Sequence, residues 1–344
     1  MCTFVPVFAP VLPITIITAQ ELRLAMNELG MLGTPYLFAV DFAKTKGWIL
    51  PHPMDQKEVL FQVGDRTNAD PQPTLSPLPS TPLLEAHPIS FEDYRRKFDP
   101  IQQALLRGDS FLANLTIATP IDTPLSLQDI FYRAQAPYKL MVDGAFVAFS
   151  PERFVRSLGH GRTIETNPMK GTIDAALPDA REQILNDYKE TAEHYTIVDL
   201  MRNDLARIAT RVRVEDFRYI DRIRTIKGEL LQVSSRIAAD LPPDASAHWG
   251  DLLMELLPAG SISGAPKEAT LRAIAEAEGE SRGFYTGVFG YFDGYDLDTG
   301  VLIRFIAQRA DGSKVYHSGG GITINSQALD EYHEAIAKVY LPFS

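Results

Sequence analysis

From about residue 91 onward, strand-like and helix-like stretches do not alternate as they would in a βαβ chain. Apolar or period-two runs at residues 110–119, 139–150, 284–292, 302–308 and 314–319 are separated mostly by turns. The long helical patterns stand apart, at about 179–209, 265–277 and 327–340. A parallel sheet needs a crossover helix between most of its strands. The pattern therefore predicts an α+β fold of antiparallel sheets with helices packed outside.

Upstream, residues 20–32 have helical amphipathicity, and 36–40 and 59–63 read as short strands. Residues 68–88 carry Pro71, Pro73, Pro77, Pro79, Pro82 and Pro88 and form the best linker. We expect a short N-terminal region over residues 1–85 and a catalytic region over 86–344, packed as one unit. Residues 1–17 are apolar but lack a basic start, and Pro6, Pro10 and Pro13 break any helix. They read as an edge strand or irregular leader, not a signal peptide. No run is long and apolar enough to span a membrane.

With 344 residues, 45% hydrophobic and 22% charged, the chain has the composition of a globular protein with a large core. A net charge of −11 argues against a nucleic-acid partner. An anionic ligand would need a locally built positive site. Cys2 is the only cysteine, which excludes an intrachain disulfide and fits a reducing, cytoplasmic compartment.

Several segments carry chemistry. Asn167-Pro168-Met169-Lys170-Gly171-Thr172 puts a lysine where a substrate-facing turn is expected. Such a lysine becomes a nucleophile if burial or a nearby cation lowers its pKa. Glu190 and Glu193 are spaced i, i+3 on one helix; Glu331 and Glu334 repeat the spacing on another, with Lys338 one turn on. Like charges on one helix face repel unless compensated. Two such pairs suit a hard divalent cation, and oxygen-only ligation points to Mg²⁺; two solvated acidic faces are the plainer alternative. Arg202, Asp199 and Asp204 are expected to satisfy one another beside Val198, Met201 and Leu205. In residues 258–267, Ser263 is a plausible N-cap and Pro266 a first-turn residue, with Lys267 making the helix start a ready anion site. Gly319, Gly320 and Gly321 imply a close backbone approach, but without the spacing of a nucleotide-binding P-loop.

Taken in order, Ser150-Pro151-Glu152-Arg153-Phe154, residues 168–172, 190–207, 260–267 and 282–287, Ile303-Arg304 and residues 319–338 resemble the chorismate-utilising enzymes. That family includes anthranilate synthase large subunits, aminodeoxychorismate synthase component I, isochorismate synthases and salicylate synthases. Lys170 resembles the lysine of the aminodeoxychorismate type, where the other types have Ala. The lysine by which isochorismate and salicylate enzymes activate water is matched by Leu112. Gln232 stands where we align a family histidine associated with proton handling.

The resemblance implies a two-lobed antiparallel β-sandwich with external helices, as in anthranilate synthase component I. It also implies amination of chorismate to 4-amino-4-deoxychorismate, for 4-aminobenzoate and folate biosynthesis. Lys170 would be the covalent nucleophile and Glu152 the acid and base. Mg²⁺ would sit on Glu193 and Glu334, with Glu190 and Glu331 as inner or water-mediated partners. Tyr285, Arg304 and the Gly319–Gly321 amides would bind carboxylate, Lys338 would add positive charge, and Ser261, Ser263 and Thr172 would line the substrate. Ammonia would come from a separate glutamine amidotransferase, because the only thiol is Cys2, or from free ammonium. An anthranilate synthase-like conversion is the nearest alternative.

Overall fold

The structure, a computed structural model, describes residues 14–75, 77–78, 82–225 and 228–343. Most of the apolar leader and part of the proline-rich segment lie outside the described residues.

Two antiparallel sheets form the centre. The ten-stranded sheet runs Ile17–Thr18, Lys46–Pro51, Tyr36–Val40, Val288–Phe292, Leu297–Val301, Arg153–Leu158, Thr163–Thr166, Gly228–Asp240, Met169–Asp174, with Thr210–Thr225 also pairing Gly228–Asp240. The nine-stranded sheet runs Gly264–Ala265, Leu112–Asp122, Lys314–Ile322, Phe305–Gln308, Phe146–Ser150, Tyr138–Val142, Val59–Val63, Arg66–Thr67, with Glu85–Ala86 on Leu112–Asp122.

Side-chain alternation explains the layering. In Tyr36–Val40, Leu37 packs with Phe61, Leu140 and Phe305 of the other sheet, while Tyr36, Phe38 and Val40 face Leu22, Met26 and Trp249 of covering helices. All five are fully buried, so this strand is apolar on both faces. The other sheet's outer face is covered by the helix Leu127–Arg133 and by Phe343. Helices Phe91–Leu106, Lys267–Glu278 and Ala328–Ala337 close over its end at Leu115 and Ile322. The α+β sandwich with external helices is thus observed, and strands from residues 36–63 sit inside both sheets.

Three local differences bear on the site. The helix expected over 179–209 is two helices, Ala180–Asn186 and Tyr188–Leu205. Asp187 is extended between them, and its carboxylate accepts the Glu190 amide at 2.8 Å, starting a new helix whose first turn holds Glu190. The run 139–150 is a hairpin turning at Asp143-Gly144. Most consequentially, Lys170 lies in the strand Met169–Asp174, not in a turn. Met169 pairs with Ser234 and Thr172 with Gln232, three steps against two, so one extra residue bulges out at Lys170-Gly171.

Candidate active site

The bulge aims Lys170 at the helix Tyr188–Leu205. Its backbone needs the left-handed conformation at the next residue, and Gly171 has φ +86°. A Cβ there would also lie 3.2 Å from Glu190 Oε2. Lys170 Nζ meets Glu193 Oε2 at 2.6 Å. The helix is fastened behind them: His194 Nε2 bonds Ser235 Oγ at 2.7 Å, and Ser235 donates its amide to the Pro168 carbonyl at 3.0 Å.

Electrostatics then decide the state of the lysine. Burial alone would lower its pKa, but the bonded Glu193 carboxylate, with Glu190 and Glu334, raises it above the ordinary value. Lys170 is therefore an ammonium in this arrangement, contrary to the expectation of a depressed pKa. Burial likewise raises the Glu190 pKa, opposed by Lys170 and helped by Glu193, Asp187 and Glu334. Glu190 Oε2 is buried without a hydrogen-bond partner, a costly condition for a carboxylate oxygen.

The second wall comes from the other sheet. On the helix Ala328–Ala337, buried Glu331 accepts the Ser326 hydroxyl at 2.7 Å. Glu334 Oε1 pairs with Lys338 Nζ at 2.7 Å, and the same ammonium donates to the Gly319 carbonyl at 2.9 Å. A Cβ on Gly320 would sit 3.5 Å from Glu331 Oε2 and 3.6 Å from both Glu334 Oε1 and Lys338 Nζ. The glycine leaves that space open between the charges.

Glu152 follows the strand Phe146–Ser150, its amide donating to Ser150 Oγ at 3.1 Å. Its Oε1 accepts the Ser261 hydroxyl at 2.5 Å. Burial raises its pKa, opposed by the Ser261 bond and by the charges of Arg304, Lys338 and Lys170. Glu152 thus lies within electrostatic reach of the cations from both walls. Arg304, held at φ +51°, receives the Phe149 amide on its carbonyl and lies 5.4 Å from the Tyr340 ring. Tyr285 is buried and stacks on His317 at 5.0 Å. Thr172 is exposed on the bulged strand.

Several sequence readings are corrected. Ser263 does not cap the following helix: its buried hydroxyl donates to the Ala259 carbonyl at 2.8 Å, and Pro266 occupies the N-cap. The Ser263 side chain is therefore spent within its own loop. Lys267 does not make an anion site either. It is the first helical residue, bound to Asp204 at 2.8 Å and to the Leu256 carbonyl at 2.6 Å. Asp204 accordingly leaves the Arg202–Asp199 pair, which forms alone at 3.2 Å.

Two anchors escaped the sequence reading. Buried Arg282 binds both Glu278 oxygens at 2.7–2.8 Å, the Asn114 carbonyl at 2.6 Å and the Ile262 carbonyl at 3.0 Å. It ties the loop bearing Ser261 to the strand Leu112–Asp122. Arg153, next to Glu152, donates to Asn167 Oδ1 at 2.8 Å and fixes the approach to the bulge. The i, i+4 spacing of Glu278 and Arg282 was the available signal.

For a divalent cation the donor set is suitable: four carboxylates, one with an orphaned oxygen, beside glycines that keep space clear. Among the described residues, however, no three His, Cys, Asp or Glu side chains gather around a single point. Two of the four carboxylates are instead paired with lysines.

A half-buried acid, a lysine–carboxylate cluster and a flanking arginine, contributed from both antiparallel sheets, make a site suited to a small anionic ligand. The chorismate binding enzyme family matches residues 31–343, and the chain belongs to that family of chorismate-utilising enzymes. An uncharacterised PabA-like protein of Haemophilus influenzae is 49% identical over 94% of this chain and 97% of its own length. Aminodeoxychorismate synthase component 1 of Escherichia coli is 34% identical over 72% of this chain and 56% of its own length. Among solved structures, an isochorismate synthase from Bacillus anthracis superposes with TM-score 0.70 at 18% identity, covering 94% of this chain and 89% of its own. Anthranilate synthase component I from Streptococcus pneumoniae gives 0.65 at 22% identity, covering 89% and 79%. Both show the same fold. No helix of the described residues is long and apolar enough to cross a membrane.

Proposed function

We propose that this enzyme aminates chorismate at C4, giving 4-amino-4-deoxychorismate, through a covalent bond to Lys170. The observation that carries this reading is that the charges of Arg304, Lys338 and Lys170 all act on the Glu152 carboxylate, which the Ser261 hydroxyl holds at 2.5 Å. Leu112 supports it: its Cδ1 would lie 3.2 Å from a Cβ on Gly321, an aliphatic group that cannot activate water.

In this reading Lys170 first gives up its proton to solvent, the neutral amine forms a bond to C2, the two ring double bonds each shift one place, and the C4–O bond breaks. Glu152 delivers the proton that lets the hydroxyl leave as water. Its raised pKa keeps the acid form available nearer neutrality. Ammonia then bonds to C4, the double bonds return, the C2–Lys170 bond breaks and Glu152 recovers a proton from the new ammonium. Arg304, with the Gly319–Gly321 strand, faces the enolpyruvyl carboxylate. Mg²⁺ held by Glu193 and Glu334, with Glu190 and Glu331 beside them, would supply positive charge for the ring carboxylate and offset the glutamates that keep Lys170 protonated. Ammonia is supplied by a glutamine amidotransferase partner or as free ammonium.

The test uses intact-protein mass spectrometry with chorismate and Mg²⁺ but no ammonia. Wild type should gain chorismate minus water, and Lys170→Ala and Glu152→Gln should not. At low ammonium Lys170→Ala should lose most turnover. An adduct on another residue, or near-wild-type turnover of Lys170→Ala, would overturn the mechanism.

A further inference from the structure

Resting on the reading of Glu190, Glu193, Glu331 and Glu334 as a divalent-cation site, we propose that Lys170 and Lys338 are its resident counter-ions. Each ammonium holds a carboxylate that the cation needs, so that cation binding and release of Lys170 from Glu193 are a single event.

Three observations carry this. First, the lysines are bound to one carboxylate on each wall: Lys170 to Glu193 at 2.6 Å and Lys338 to Glu334 at 2.7 Å. These are the central ligands of the proposed site. Second, Glu190 Oε2 is buried with no hydrogen-bond partner. A divalent cation would satisfy that carboxylate oxygen. Third, glycine lines the space on both walls: a Cβ on Gly171 would lie 3.2 Å from Glu190 Oε2, and one on Gly320 would reach van der Waals contact with Glu331 at 3.5 Å and Glu334 at 3.6 Å.

The two lysines differ in what they lose. Lys338 also donates to the Gly319 carbonyl at 2.9 Å, so it keeps a partner when Glu334 turns to a metal. Glu193 is the carboxylate within bonding distance of the Lys170 ammonium, so removing it frees the amine to face the ring. A hard dication has twice the charge of an ammonium and takes several oxygen ligands at once. It can therefore displace a tethered lysine that has a single carboxylate contact. The cluster then passes from a closed, lysine-bound form to an open form with the nucleophile released, and the cation enters first.

The experiment is titration calorimetry of the purified chain with MgCl₂, repeated with MnCl₂, without chorismate. Lys170→Met removes the competing charge and should bind the cation roughly tenfold more tightly than wild type or better. Lys170→Arg keeps a cation and should stay near wild type. Lys170→Gln serves in place of the Met variant if that fails to melt cooperatively. Affinity unchanged or weaker in both neutral variants would overturn the counter-ion role while leaving the cation site standing. Absence of Mg²⁺ or Mn²⁺ uptake by every form, with or without chorismate, would remove the cation site itself and the counter-ion role with it. In wild type, acetylation of Lys170 by a small acylating reagent, mapped by peptide mass spectrometry, should rise with Mg²⁺; a flat response would overturn the release step.

Discussion

The proton state of Glu152 is a balance between burial and one hydroxyl. Burial pushes its pKa up, and the 2.5 Å bond from Ser261 opposes that by stabilising the carboxylate. Ser261→Ala should therefore let the pKa rise further. An acid that must be protonated then survives to higher pH, so the alkaline limb of kcat/KM should move upward relative to wild type. A limb that stays put or moves down would show that Glu152 is not the titrating acid. Lys170 and the two glutamate pairs stand out in the sequence by residue type and spacing, whereas Glu152 is marked only by the family resemblance. The charge state of Lys170 was not legible there, because it depends on Glu193 and Glu334, side chains brought in from two separate helices.

Most elements follow from periodicity, and the exceptions have identifiable causes. The strands Tyr36–Val40 and Val59–Val63 stand where short continuous apolar runs put them. The long antiparallel pair Thr210–Thr225 and Gly228–Asp240 leaves no clean period in the sequence: register shifts at Arg213, Asp216 and Tyr219 repeatedly change the phase of its alternation. The glycine run resolves into two jobs. A Cβ on Gly319 would lie 2.4 Å from the Leu115 carbonyl oxygen of the neighbouring strand, whereas one on Gly320 makes only ordinary contacts. Gly319→Ala should cost about 2–3 kcal/mol or more in urea unfolding. Gly320→Ala should change stability by less than about 1 kcal/mol but lower turnover by filling the space between Glu331, Glu334 and Lys338. Equal stability losses would refute the distinction.

At the scale of the whole molecule, the first strands belong to both sheets. Tyr36–Val40 pairs with Val288–Phe292 over five positions, and Val59–Val63 pairs likewise with Tyr138–Val142. A chain begun at residue 86 would expose both partners along their edges. It should give no cooperative thermal transition, and a sharp melt with native ellipticity would show that the later region folds alone. Acid stability has a global component as well. Burial, helped by Arg309, lowers the His317 pKa from 6.5 to about 4. Below pH ~6.5 the unfolded chain takes up that proton and the fold does not, so stability falls with pH and the loss levels off below about pH 4. One such imidazole contributes at most about 3 kcal/mol. His317→Gln should make urea stability fall less steeply between pH 6.5 and 4 than wild type; parallel curves would rule out a half-buried imidazole held neutral.

The sequence by itself determined the antiparallel α+β class, the family resemblance and, as candidates, Lys170 and the paired carboxylates, because these rest on short-range period and residue type; Glu152 became a candidate acid through the resemblance alone. Tertiary structure alone decided that Lys170 projects from a bulge, that Ser263 and Lys267 are spent on the Ala259 carbonyl and Asp204, and that Lys170 and Lys338 are paired with Glu193 and Glu334. Each of those outcomes is a contest for partners among groups distant along the chain, and only folding settles which polar group lies within hydrogen-bond reach of which.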